Sequence, residues 1–249
     1  MLKHFPSGSS LKFYEAVDST SLEAKRLVQS GEAGPLWIMA GRQTDGYGRR
    51  GAAWFQAEGD VAASFIFMPG NERESLSQLS YVAALAVADV IGDFAPGVAV
   101  EVKWPNDVLI DNKKAAGILL ELITGEAPLI VFGVGVNIVS APTDLEYKAA
   151  RLIDYGSGET PSPLIFLEAL DGRFSHWREV WRQDGFASIR RHWLDRAARL
   201  GEVIEVRLTD RQRSGRFKGL SEEGALILAT DEGDELITAG AVFFGETTR

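Results

Sequence analysis

The strongest constraint on the fold is a change of sequence pattern at Gly201. After this residue, short apolar and β-branched runs alternate with turn pairs such as Glu223-Gly224 and Glu232-Gly233. Short strands at this spacing are typical of a small antiparallel barrel. The predicted strands are residues 202–208, 214–220, 225–230, 235–238 and 242–244. The pattern therefore predicts a larger domain of residues 1–200 and a small all-β domain of residues 201–249.

Residues 1–200 combine helical and strand patterns. A helix is predicted at residues 19–30, with Ser19 or Thr20 as its cap and Gly31 at its end. Helical spacing recurs at residues 75–94 and at residues 161–200, where Gly185 interrupts it. The predicted strands are residues 36–40, 61–68, 98–103, 108–110, 115–123 and 129–138. These elements predict an α+β fold, in which a mixed sheet carries flanking helices.

The composition disfavours several classes of function. The 249 residues include no cysteine, which excludes disulfides and thiolate metal sites and favours a reducing cytoplasm. The sequence shows neither a signal peptide nor an apolar run of the roughly 20 residues that span a bilayer. The formal net charge of -9 disfavours a general nucleic-acid binder. We therefore expect neither a membrane nor a nucleic acid as partner.

A glycine loop, residues 46–54, begins with Gly-Tyr-Gly-Arg-Arg-Gly. Its glycine spacing matches the dinucleotide-binding fingerprint, but no long helix follows, so we reject that interpretation. Three glycines still let backbone amides approach a ligand, and Arg49 and Arg50 supply charge for a phosphate or carboxylate. We expect such a loop to be mobile until its anion arrives. A solvated surface loop with incidental arginines is the alternative.

A lysine segment, residues 103–121, opens with Lys-Trp-Pro-Asn-Asp and continues to Lys114 after a predicted hairpin. Pro105 forces a turn, and Asp111-Asn112 is the predicted hairpin turn that returns Lys114 to the side of Lys103. Oxygen ligands in a turn suit Mg²⁺, so Asn106 and Asp107 are candidate metal ligands. If the cations Arg49, Arg50, Lys103, Lys113 and Lys114 converge, they form an anion site of restricted size. Two ordinary surface lysines are the alternative.

Together, the two motifs resemble those of biotin–protein ligases, also called biotin–acetyl-CoA-carboxylase ligases. The resemblance begins at the Ser-Thr pair of Ser19 and Thr20 and includes a Gly-rich strand that ends at Asn137. It implies a class II synthetase-like catalytic domain, residues 1–200, that binds biotin and ATP. Residues 201–249 then resemble the family's SH3-like domain. Since the Ser-Thr pair comes this early, we expect the monofunctional type without an N-terminal DNA-binding domain.

The resemblance implies an ATP-dependent ligase with two half-reactions. Biotin would be activated as biotinyl-5′-AMP and then transferred to a lysine of the biotin carboxyl carrier protein of acetyl-CoA carboxylase. Mg²⁺ is the implied metal, with Asn106 and Asp107 as its ligands. The implied catalytic residues are Lys114, Arg49, Lys103 and Asp107, the last of which would also accept a proton from the carrier lysine. The implied substrate-binding residues are Ser19, Thr20 and Gln43 for the ureido ring, Trp54 and Gly117 for the ligand slot, Asn137 for adenine, and Gly46, Tyr47, Gly48 and Arg50 from the loop.

The chain departs from the family pattern in the glycine loop. Tyr47 and Ala52 stand where the family usually has arginine. The loss of two cations predicts weaker retention of the adenylate. A lipoate–protein ligase and a non-catalytic relative that binds biotin or an adenylate are the competing functions, although the lysine segment favours the biotin ligase. Relatives occur as monomers and dimers, which leaves a homodimer open.

Overall fold

The fold is that of a computed structural model, which describes residues 3–69, 76–125, 128–143, 147–156, 158, 160–209 and 211–244. Eight strands of this part form one sheet, in the order β1-β2-β3-β4-β8-β7-β6-β5. Strands β2 and β3 pair in parallel, and the other neighbours pair antiparallel, so the sheet is mixed as predicted. The strands are β1 Lys3–His4, β2 Ser10–Val17, β3 Leu36–Gln43, β4 Val61–Phe67, β5 Val100–Lys103, β6 Asp107–Ile110, β7 Lys113–Ile123 and β8 Leu129–Val136.

Helices cover both faces of this sheet. The helices are α1 Thr20–Gln29, α2 Leu76–Phe94 and α3 Pro163–Leu194. Because side chains alternate along a strand, Trp37 and Met39 of β3 lie in the core with α2 and α3, while Ile38 lies in a smaller core with Ala24 of α1. The shorter helix α1 leaves part of its face of the sheet for a cavity.

The helix ends follow local chemistry. In α3, the hydroxyl of Ser162 accepts a hydrogen bond from the amide of Ile165, and Gly185 kinks the helix at φ 73°, as the sequence predicted. Ser19 takes the N-cap position of α1, as predicted, although its side chain makes no capping hydrogen bond.

The C-terminal part forms a five-stranded antiparallel sheet, in the order β12-β11-β10-β9-β13. Its strands are β9 Val203–Arg207, β10 Gln212–Leu220, β11 Leu226–Thr230, β12 Gly233–Ile237 and β13 Ala241–Phe243. Apolar residues of this sheet, such as Val206 and Phe217, belong to the same core as Trp193 of α3. Arg190 of α3 also donates a hydrogen bond to the carbonyl of Leu220. The two sheets share one core, so the packing does not mark a domain boundary. The division into two domains at residue 200 therefore stays a prediction.

Two elements of the structure differ from the sequence predictions. Strand Ser10–Val17 was not predicted, because its exposed residues mask the apolar alternation. Helix α3 ends at Leu194 instead of residue 200, since Ala198 donates a backbone hydrogen bond to Val102 and draws the chain along the edge of β5. The predicted start of α2 at Ser75 lies outside the described residues. None of the described helices combines the length and apolar character needed to cross a membrane.

Candidate active site

A cavity of about 220 Å³ lies between the glycine loop, the lysine segment, the start of α1 and strand β13. Four cations and one carboxylate are among its described lining residues, in a chain whose net charge is -9. The predicted site residues that line it are Ser19, Thr20, Gln43, Tyr47, Gly48, Arg49, Arg50, Trp54, Lys103, Asn106, Asp107, Lys114 and Gly117. The arrangement concentrates positive charge where two anionic ligands could meet.

The strand ladder places Lys114 on the cavity face of the lysine segment. Asp111 and Asn112 both have positive φ, as a two-residue hairpin turn requires, so the turn prediction is confirmed. The backbone amide of Lys114 donates to the carbonyl of Lys148, which fixes the strand from its other side. Lys113 is absent from the cavity lining and lies near Asp111 and Tyr155 instead. Lys113 therefore stays outside the cation cluster, because neighbouring residues of a strand point to opposite faces.

Lys114 and Asp107 form an ion pair inside the cavity, with Nζ and Oδ1 2.8 Å apart. Their side chains are only 18% and 16% exposed. Burial lowers the pKa of Lys114, but the charge of Asp107 and the nearby Tyr147 outweigh it, and the net pKa is raised. Burial lowers the pKa of Lys103, with a further contribution from the charge of Lys114. Lys114 is thus the more firmly protonated of the two lysines.

The glycine loop closes on itself. The amide of Gly48 donates to the carbonyl of Ala52 at 2.7 Å, and the amide of Trp54 donates to the carbonyl of Gly46 at 2.8 Å. Arg50 adopts the left-handed conformation with φ 56° and is exposed, whereas Arg49 turns inward. The Nη1 group of Arg49 donates to the carbonyl of Gly240 at 3.2 Å. Burial and the charge of Arg50 lower the pKa of Arg49 from its ordinary high value.

The indole of Trp54 lies against the bare backbone of two sheet glycines. A Cβ atom at Gly135 would come within 2.1 Å of the Trp54 ring, and one at Gly117 within 2.9 Å. Glycine inside a strand allows this close approach. Trp54 therefore joins the end of the glycine loop to the floor of the cavity.

Buried hydroxyl and amide groups line the end of the cavity near α1. The Oε1 atom of Gln43 accepts hydrogen bonds from the backbone amide of Thr20 at 2.8 Å and from its hydroxyl at 3.2 Å. Ser64 donates to the hydroxyl of Thr20 at 2.8 Å and lies 3.0 Å from that of Ser21. Sequence reasoning missed Ser21 and Ser64, although a serine within the apolar run of β4 is a signal that could have identified the second. This end suits a compact polar group.

Two predicted site residues do not line the cavity. Gly46 packs instead against Gln43, where a Cβ atom would lie 2.7 Å from Nε2. Asn137 is 4% exposed, and its amide donates to the carbonyls of Lys114 and Ala150. It borders a narrow hollow that Trp54, Lys114 and Tyr147 also line. In this structure Asn137 supports the backbone of Lys114.

The predicted magnesium ligands are both directed toward cations. Oδ1 of Asp107 is paired with Lys114, and Oδ1 of Asn106 is 3.5 Å from Nη1 of Arg49. Among the described residues, no group of three or more acidic or histidine side chains is arranged to hold a metal ion. The side chains as placed do not fit a preformed magnesium site.

The C-terminal sheet supplies a wall of the cavity that sequence reasoning missed. Gly240 and strand β13 line it, and the aromatic rings of Phe243 and Phe244 lie 5.9 Å and 4.8 Å from Nζ of Lys103. No local sequence signal predicts this wall, because the contacting residues are far apart in the chain.

Comparison with known proteins identifies two family matches. The Biotin/lipoate A/B protein ligase family matches residues 13–137, and the Biotin protein ligase C terminal domain matches residues 200–245. The chain is 39% identical to a biotin–acetyl-CoA-carboxylase ligase of Paracoccus denitrificans, over 92% of this chain and 98% of that protein. It is 29% identical to the bifunctional ligase/repressor BirA of Bacillus subtilis, over 98% of this chain and 77% of that protein.

A solved structure gives the same result. The biotin protein ligase of Aquifex aeolicus in complex with biotin and ATP superposes with a TM-score of 0.81 at 29% identity. The match covers 94% of this chain and 97% of that one.

Proposed function

The chain belongs to the Biotin/lipoate A/B protein ligase family, and we propose that it is an ATP-dependent biotin–protein ligase. It activates biotin as biotinyl-5′-AMP and transfers the biotin to a lysine of the biotin carboxyl carrier protein of acetyl-CoA carboxylase. The observation that carries the proposal is a single cavity with two chemically different ends. One end has buried hydroxyl and amide groups, and the other has Arg49, Lys103 and Lys114.

In the first half-reaction, a carboxylate oxygen of biotin attacks the α-phosphorus of ATP. The bond from that phosphorus to the β-bridging oxygen breaks, and pyrophosphate leaves. Two anions repel each other, so the barrier falls if fixed cations stand where their charge concentrates. We assign Lys114 to the carboxylate and α-phosphate, Arg49 to the carboxylate and adenylate, and Lys103 to the departing phosphates. The raised pKa of Lys114 keeps it charged throughout the physiological range.

In the second half-reaction, the neutral ε-amine of the carrier lysine attacks the acyl carbon of the mixed anhydride. A C–N bond forms, the acyl C–O bond breaks, and AMP leaves with the bonding electron pair. The attacking amine must lose a proton. We assign that proton to Asp107, the one carboxylate among the described residues of the cavity lining.

Specificity for biotin is assigned to the polar end of the cavity. Ser19, Thr20 and Gln43 supply hydroxyl and amide groups for the ureido ring, and Ser64 holds Thr20 in place. A site that hydrogen-bonds a polar head rejects analogues that lack it, because its own buried groups are then left unpaired. Trp54 and Gly117 border the slot between the two ends, and the predicted contact of Asn137 with adenine remains part of the proposal.

The part played by Mg²⁺ is limited in this proposal. The ion keeps most of its water and takes one or two protein oxygens, so it would come with the phosphates of ATP. Ligation by Asn106 and Asp107 stays a prediction, and no step above depends on it. A cytoplasmic location and a homodimer likewise stay predictions.

The deciding experiment is exchange of labelled pyrophosphate into ATP with biotin, with lipoate and with no acid added. Exchange that depends on biotin, followed by transfer of labelled biotin to a purified carrier domain, is expected. Exchange only with lipoate would replace the proposal by a lipoate ligase. Binding of biotin without exchange would replace it by a non-catalytic binding protein.

A further inference from the structure

Tyr47 of the glycine loop belongs to a closed triangle of side chains. Its hydroxyl donates to Oε2 of Glu121 at 3.0 Å and accepts from Nζ of Lys25 at 3.0 Å. Lys25 and Glu121 are themselves paired, with Nζ and Oε1 2.7 Å apart. The ammonium of Lys25 also lies 5.5 Å from the centre of the Tyr47 ring. We call these three residues the clasp.

The clasp joins three of the four elements that border the cavity, namely the glycine loop, α1 and the lysine segment. Lys25 lies on α1, whose first residue is Thr20, and Glu121 lies on β7, which also carries Lys114. Both belong to regular secondary structure, so their ion pair does not need the loop in order to form. The Lys25–Glu121 pair thus offers one donor and one acceptor to the phenol of Tyr47, and that phenol is the only part of the clasp that belongs to the loop.

The chemistry of tyrosine suits this position. A phenol can donate and accept at once, and here it donates to a carboxylate and accepts from an ammonium. Burial raises the pKa of Tyr47, so the group keeps its proton at neutral pH. An arginine at this position would have no acceptor and would face Lys25 with a like charge.

We propose that the Lys25–Tyr47–Glu121 clasp holds the glycine loop closed over the cavity and thereby slows the release of biotinyl-AMP. Tyr47 is then a positioning residue for Arg49, two residues further along the loop. The claim that biotinyl-AMP is retained rests on the proposed function. The claim that the clasp holds the loop closed does not. It reverses two sequence-based expectations, namely that the loop is mobile before its anion arrives and that Tyr47 weakens retention.

The first test measures loop closure without substrates, by limited trypsin digestion and mass spectrometry of cleavage after Arg49 and Arg50. Wild type is expected to be protected, and Tyr47→Phe to be cleaved about tenfold faster, since hydrogen bonds to charged groups are lost. Equal cleavage of the two proteins would overturn the proposal. Because biotin and ATP are absent, this result stands even if the exchange assay finds no ligase activity.

The second test measures the dissociation rate of a non-hydrolysable biotinyl-adenylate. Tyr47→Phe and Tyr47→Arg are both expected to release it faster than wild type, by about tenfold for the first. Slower release from Tyr47→Arg would show that a guanidinium holds the adenylate and would overturn the clasp. In a Glu121→Ala background, Tyr47→Phe should have much less effect, because the hydroxyl acts through Glu121.

Tyr14→Phe is the matched control. The hydroxyl of Tyr14 donates to Glu23 at 2.7 Å, and the ammonium of Lys12 lies 5.1 Å from its ring, but the residue does not line the cavity. This variant loses the same type of hydrogen bond and should leave cleavage and release unchanged. An equal effect of Tyr14→Phe would mean that general destabilisation explains the result and would overturn the proposal.

Discussion

The lysine segment and the glycine loop face each other across one cavity, but they are held in different ways. The lysine segment runs through β6 and β7, so Lys114 and Asp107 are positioned by backbone hydrogen bonds to neighbouring strands. The glycine loop lies outside the sheet and depends on a few backbone contacts and on side chains such as Tyr47 and Trp54. One side of the site is therefore rigid and the other can open.

This difference matches the two tasks of an adenylating ligase. Charge stabilisation requires groups that are fixed before the reaction, which the sheet provides. Retention of a reactive anhydride requires a cover that admits the substrates and then excludes water, which a loop provides. Four substitutions test this contrast between the lysine segment and the glycine loop, beginning with the largest expected effect.

Lys114→Ala is expected to reduce pyrophosphate exchange on the order of a thousandfold, since it removes the cation between two reacting anions. Lys113→Ala is the matched control, because the neighbouring lysine points away from the cavity and should leave the rate unchanged. Steady-state kinetics with circular dichroism as a fold check measures both. Similar losses in the two variants would contradict the assignment.

Arg49→Ala is expected to reduce the exchange rate about a hundredfold, because an inward guanidinium is lost from the loop. Arg50→Ala should cost no more than about threefold, as an exposed cation is screened by solvent. The comparison of the two adjacent arginines tests the contrast between loop and lysine segment, since Arg49 contacts Asn106 of the lysine segment while Arg50 is exposed. A larger loss in Arg50→Ala would reverse the roles of the two arginines.

Gly135→Ala is expected to raise the KM for biotin about tenfold, because the new methyl group overlaps Trp54 and displaces it into the slot. Gly172→Ala on α3 is the control, since a Cβ atom there has open space. Titration calorimetry with biotin measures the loss of affinity directly. Unchanged affinity for biotin would show that Trp54 can move away from Gly135 without narrowing the slot, and would contradict this prediction.

Asp107→Asn is expected to lower the pKa of Lys114. In wild type the charge of Asp107 outweighs burial and raises this pKa, so removal of the charge leaves burial to favour the neutral amine. Lys114 should then lose its proton at a lower pH than in wild type. NMR titration of ¹³C-labelled lysine, with Lys114→Ala to assign the signal, measures the shift. An equal or higher pKa would contradict the geometry.

Much of the fold could be predicted because its signals are local. The apolar runs of β7 and β8, the Asp111-Asn112 turn and the kink at Gly185 each follow from a few neighbouring residues. The lysine segment was identified for the same reason, since its two lysines and their turn lie in one stretch. The strand Ser10–Val17 was missed because its exposed residues weaken that local signal.

The sequence by itself determined the class of fold, the lysine segment and the family, because periodicity and turn chemistry act over a few residues. Only the tertiary structure decided which cation faces the cavity, that Ser64 completes the polar end, and that Tyr47 is bound by Lys25 and Glu121. It also placed the carbonyl of Gly240 beside Arg49, across 191 residues of chain. The Arg49–Gly240 contact depends on how the two sheets pack, and the contacts of Ser64 and Tyr47 depend on how α1 and the glycine loop lie on the larger sheet. No local pattern specifies them.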